Sequence, residues 1–125
     1  MEKTIKVLWF SRHKMTREQE QALFLGIAKH FNNDLQETGI IITQISETIN
    51  NVSEIQDLDG YDVYAIVAPI ALQQQFLRVA GEKPVIMAKS NRVITKNPEG
   101  GEDKISFIFD KWERIKKIEV IIEDF

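Results

Sequence analysis

Four short, near-continuous apolar runs, separated by segments of helical period, leave few folds open to this chain. They are residues 5–10 (Ile5-Lys6-Val7-Leu8-Trp9-Phe10), 40–45, 62–68 and 84–88. Runs of this kind are expected of strands buried on both faces, where alternation has no role. Between the first two, residues 16–32 place Leu23, Phe24, Ile27, Ala28 and Phe31 at helical spacing, with Glu18, Glu20, Gln21 and Lys29 elsewhere. Asn32-Asn33 reads as the stop. Val52 to Leu58 reads as a short helix and Asp59-Gly60 as a turn. Ile70 to Ala80 reads as a longer helix with Leu72, Phe76, Leu77 and Ala80 turned inward, closed by Gly81. A strand-helix rhythm with these spacings implies right-handed crossovers and a parallel sheet, with the second and third strands on either side of the first. The expected fold is α/β: a Rossmann-like three-layer domain spanning residues 1–125, mainly parallel, with a C-terminal antiparallel hairpin.

The last third reads differently. Val93-Ile94-Thr95 is a short strand, and Asn97-Pro98-Glu99-Gly100-Gly101 a turn. Ile105, Phe107 and Phe109 alternate, as do Ile118, Val120 and Ile122, which predicts two antiparallel strands joined near Lys111-Trp112-Glu113-Arg114. A helix over Trp112–Ile118 is the other reading.

Composition removes several functions. There is no cysteine among 125 residues, which excludes disulfides, thiolate catalysis and cysteine-ligated metals. A net charge of −3 without a long basic block argues against gripping duplex DNA by its phosphates. The two histidines, His13 and His30, stand far apart with no carboxylate cluster between them, so no metal site is expected. No glycine-rich loop follows the first strand, so no nicotinamide or flavin cofactor is expected either. No apolar stretch approaches the roughly 20 residues of a membrane span, and no leader pattern is visible, so a cytoplasmic protein is expected.

The candidate site is Ser11-Arg12-His13. It follows the first strand and precedes Thr16-Arg17-Glu18-Gln19, a capping box with Thr16 as N-cap. Ligands of open α/β sheets bind outside the carboxyl ends of the strands, so a crevice is expected beside Ser11, between the first and third strands. Arg12 is suited to clamp a phosphate or carboxylate, or to pair with an acid such as Glu47. His13 can exchange a proton near neutral pH, or cap the following helix. Ser11 can donate to an anion, or serve the turn. His30 reads as a surface residue. Lys89, Ser90, Asn91 and Arg92 follow the fourth strand on the same sheet edge, as a second ligand-binding wall or a solvated loop. Ala68-Pro69 opens a helix at the same edge, where backbone N–H groups can meet an anion. Trp112 beside Lys111 and Arg114 reads as packed core rather than as a base-stacking platform.

Leu8-Trp9-Phe10-Ser11-Arg12-His13 resembles the first strand and Arg-His-Gly motif of histidine phosphatases over six residues. Lys14 stands where that family has glycine, and no second histidine lies downstream of His30. A short Rossmann-like domain with a Ser-Arg-His turn and a Thr-Arg-Glu-Gln helix start also resembles small CRISPR-associated Rossmann-fold (CARF-like) proteins, and phage proteins of similar size. Some of the CARF-like proteins are ring nucleases that bind and cut cyclic oligoadenylate. The resemblance implies a homodimer with a cyclic oligonucleotide bound across its two-fold axis. It implies metal-independent cleavage in which Arg12 neutralises the phosphorane, Ser11 orients the phosphate and His13 moves a proton to the leaving oxygen or holds the ribose. A sponge that binds without cutting, and an interaction domain without a small ligand, are the alternatives.

Overall fold

Residue pairing along the first strand organises the whole sheet. The computed structural model describes residues 3–31 and 38–125. Strand β1 (Lys3–Phe10) pairs in parallel with β2 (Thr38–Ile45) on one side and with β3 (Val63–Ile66) on the other. Strand β4 (Val85–Thr95) joins β3 in parallel, and β5 (Lys104–Arg114) joins β4 antiparallel. The order β2-β1-β3-β4-β5 is that of a doubly wound sheet with an antiparallel strand added at one edge. The α/β, Rossmann-like expectation therefore holds, including the flanking of β1 by β2 and β3.

Alternate residues of β1 feed two cores. Ile5, Val7 and Trp9 meet Leu23 and Ile27 of helix α1 (Arg17–His30), with Met15, Val63 and Ala65. Leu8 and Phe10 meet Leu72, Phe76 and Ala80 of helix α2 (Ile70–Ala80), with Tyr64, Ile66 and Val85. Val52 and Ile55 join the second core from around a 3₁₀ turn (Val52–Glu54). Helix α1 starts as expected: Gln19 N–H donates to Thr16 Oγ1 at 3.2 Å, and Thr16 N–H to Gln19 Oε1 at 2.9 Å. It ends at His30, and the expected stop at Asn32-Asn33 lies outside the described residues.

Three expectations are corrected. Val52–Leu58 is not one helix but separate 3₁₀ turns at Val52–Glu54 and Leu58–Gly60. Asp57 between them takes a left-handed φ of 53°, which breaks helical propagation. Lys89-Ser90-Asn91-Arg92 is no loop: the four residues lie inside β4, which continues through Val93-Ile94-Thr95. The hairpin partners are also different. Residues 97–101 turn the chain, and β5 runs on through Trp112 to Arg114, so neither a break at 111–114 nor a helix from Trp112 forms. Residues 118–122 carry the expected alternation but lie in no strand. The strand paired with β5 is β4, and β5 forms the edge of the sheet.

Tyr64 ties the second core to the 3₁₀ turns. Its ring is fully buried, and its hydroxyl donates to Leu58 O at 2.6 Å. Burial, and then the nearby charges of Asp59 and Asp62, push the phenol above its ordinary value. The folded state thus favours the neutral phenol. Its contribution is complete below about pH 10, where unfolded tyrosine begins to ionise, and is lost as pH rises beyond that. Tyr64→Phe leaves the Leu58 carbonyl without this donor, which costs about 1 kcal/mol. Urea unfolding from pH 7 to 11 should show that loss at neutral pH and a weaker alkaline decline in the variant than in the parent.

Candidate functional site

The turn after β1 is held from three directions before any ligand is considered. Ser11 N–H continues the ladder to Ile45 O of β2 at 3.2 Å, and Val67 N–H donates to Phe10 O at 2.8 Å. Gln44 of β2 donates through Nε2 to Ser11 O at 2.9 Å and to His13 O at 3.0 Å. Trp9 Nε1 adds a second donor to His13 O at 2.8 Å. Ser11 is 5% exposed, and its Oγ accepts from His13 N–H at 3.1 Å. That bond closes a small side-chain turn of the kind serine favours. It uses one lone pair and leaves the hydroxyl proton to donate elsewhere.

A cavity of about 280 Å³ opens over this turn. Its lining comes from the ends of three strands: Ser11, Arg12 and His13 after β1, residues 46–49 after β2, and Val67 and Pro69 after β3. The crevice therefore sits on the end of β1 with walls from both neighbouring strands, rather than between β1 and β3 alone. Phe10, Ile45, Ile49 and Leu72 make its apolar part. Pro69 is the N-cap of α2 and has no side chain that caps the helix. The first-turn N–H groups of an α-helix have no partner within the helix, so the positive end of α2 borders the cavity.

Arg12 and His13 are both exposed. Arg12 Nη2 donates to Thr48 Oγ1, so the sequence-level pairing with Glu47 gives way to a hydroxyl partner one residue further on. Among the described residues, no carboxylate forms an ion pair with the guanidinium. Among the described residues, no hydrogen bond involves the His13 imidazole; only its backbone is tied down. His30 is exposed and stacks edge-on with Phe31 at 4.8 Å, well away from this turn. Trp112 packs edge-on against Trp9 at 5.7 Å and donates to Gln19 O at 2.9 Å, so it is half-buried and packed against the α1 core.

Lys89, Ser90, Asn91 and Arg92 do not line the cavity. They are exposed along β4, with β3 between that strand and β1. Sequence reasoning missed Gln44, the indole of Trp9, and Ser46 and Thr48 on either side of Glu47, which it named only as a partner for Arg12. The last two follow the end of β2, so the strand-end rule used for Ser11 could have found them. Gln44 carried no signal, because a glutamine within a strand reads as a solvated edge position. Among the described residues, no group of three His, Asp or Glu side chains is arranged to hold a metal ion, and no helix is long and apolar enough to cross a membrane. No protein-family model, no curated protein and no solved structure matches the chain.

Gln44→Leu removes both Nε2 hydrogen bonds to the turn, leaving His13 O its Trp9 donor, while keeping side-chain volume. The variant should lose about 1–3 kcal/mol in urea unfolding. Amide exchange should accelerate first at His13 and Lys14, since the turn loosens before the sheet does.

Proposed function

We propose that this protein binds a small phosphate-bearing ligand in the crevice over β1, with a cyclic oligonucleotide as the preferred candidate. The observation that carries the reading is the meeting of the Arg12 guanidinium and the uncapped start of α2 around one cavity of about 280 Å³. A cation with several N–H donors and a set of backbone N–H groups suit an anion with several oxygens. The apolar lining from Ile45, Ile49 and Leu72 suits a base or ribose beside the phosphate. The resemblance of the Ser-Arg-His turn to CARF-like proteins favours a cyclic oligonucleotide over a simple phosphate ester.

Capture is the favoured mode over turnover. Ser11 Oγ already accepts the His13 N–H, and among the described residues no hydrogen bond joins its hydroxyl to a carboxylate or an imidazole. Arg12 would hold the phosphate, the Ser11 hydroxyl would add a donor from the floor, and His13 would flank the ligand at the rim. Cleavage in the ring-nuclease manner would require His13 to reach the leaving oxygen.

Calorimetry and chromatography with a panel of cyclic oligonucleotides, ATP and inorganic phosphate test this. Retention of a cyclic species without conversion is the expected result. Arg12→Ala should weaken it by about 30-fold or more, the equivalent of roughly 2 kcal/mol. His30→Ala should leave it unchanged. Linear products would replace capture by cleavage, and His13→Ala should then lower the rate by about 10²–10⁴-fold. Failure to retain any nucleotide, or an Arg12→Ala variant that binds normally, would refute the proposal.

A further inference from the structure

A second cavity, of about 180 Å³, lies on the α1 face of the sheet, at the end opposite the Ser11 crevice. Val63 at the start of β3 and Phe31 just after α1 border it, whereas the crevice collects residues that follow the strands. Trp112, at the base of the β4–β5 ribbon, and Ile86 complete the apolar lining on the sheet side. Phe31, Ile86 and Trp112 pack against the α1 core yet remain only half-buried. Helix and sheet part over these three side chains.

Gly26 marks this space as more than a packing gap. It lies inside α1 and lines the cavity. Glycine weakens a helix interior more than any residue except proline. No neighbour demands it, since a Cβ added at Gly26 would meet no atom within 4 Å. The helix thus gives up stability at a position where the chain itself leaves room for a side chain. A side chain there would narrow the cavity.

Size and charge define the ligand. An apolar cavity of about 150 Å³ accepts one benzene ring. Phe31 and Trp112 offer that ring aromatic partners. The ionisable side chains on the lining are Arg114 and His30, and no carboxylate lines the cavity. Arg114 Nη2 donates to Glu82 O at 3.0 Å. Among the described residues, the guanidinium has no other hydrogen-bond partner and forms no ion pair. We propose that this cavity binds a single-ring aromatic carboxylate, with the ring against Trp112 and Phe31 and the carboxylate on Arg114. Guanidinium matches carboxylate in planar geometry as well as in charge. This site is separate from the crevice over β1 and does not depend on what that crevice binds.

Titration of the full chain with phenylacetate, read by tryptophan fluorescence and by amide chemical shifts, tests this without any nucleotide. Saturable binding with a Kd below about 1 mM is expected. The shifts should fall on Gly26, Ile86 and the Trp112 indole and spare Ser11 to His13. Benzylamine, with a ring of the same size and the opposite charge, should bind about 10-fold more weakly or worse. Arg114→Gln should weaken phenylacetate by about 10-fold or more and remove the preference over benzylamine. Gly26→Leu should raise the urea midpoint, because leucine is a good helix former, while weakening phenylacetate by about 10-fold or more. Gly26→Ala serves if the larger residue disturbs the fold, with the same two signs and smaller size. A stabilised Gly26→Leu chain that binds phenylacetate like the parent overturns the proposal. So do equal binding of benzylamine, shifts confined to the Ser11–His13 turn, or no saturation by about 10 mM phenylacetate.

Discussion

Burial of β1 on both faces is the constraint on which the other parts depend. Ile5, Val7 and Trp9 face α1, while Leu8 and Phe10 face α2. A strand that fills two cores at once cannot slip by one residue, because the slip would exchange every side chain between the cores. Its register with β2 and β3 is fixed by the same burial. The end of β1 is therefore placed with accuracy, and the Ser11-Arg12-His13 turn inherits that placement.

The turn illustrates how a fold positions a site without spending the site's own chemistry. Its carbonyls are held by Gln44 and Trp9, and its one buried hydroxyl is tied to the backbone. Among the described residues, the hydrogen-bond partner of the exposed guanidinium is the neutral Thr48 hydroxyl. Trp9 connects the two levels, since its ring packs in the α1 core against Trp112 while its indole N–H reaches the turn. Rigid backbone under the exposed Arg12 guanidinium lowers the ordering cost when an anion arrives.

The sheet ends unequally at its far edge. Within the parallel strands every large residue of β3 is buried, whereas β4 loses cover after Ile86. Helix α1 reaches β5 at Trp112, and no element follows the ribbon further. Trp112 and Phe107 share a face across the irregularity at Lys89/Ser90, yet Trp112 packs against the α1 core while Phe107 is exposed. Two roles on one strand follow from where the neighbouring helix stops.

Apolar pattern and turn chemistry in the sequence determined the parallel strands, both helices, the capping box at Thr16 and the strand-end position of Ser11, Arg12 and His13. These are local signals, or topological rules that act on local signals. Tertiary structure alone decided that Arg12 meets Thr48 and not Glu47, because those residues differ only in how the loop after β2 turns. It also decided that Gln44 braces the turn, through a parallel register that brings residues 33 positions apart together. Lys89 to Arg92 moved from an expected loop into a strand for a similar reason. Polar residues in a two-stranded ribbon face water on both sides, so they look like loop until a partner strand is seen to pair with them. The partner of residues 105–109 is β4 and not residues 118–122, because alternation reports a strand's faces and says nothing about its neighbour.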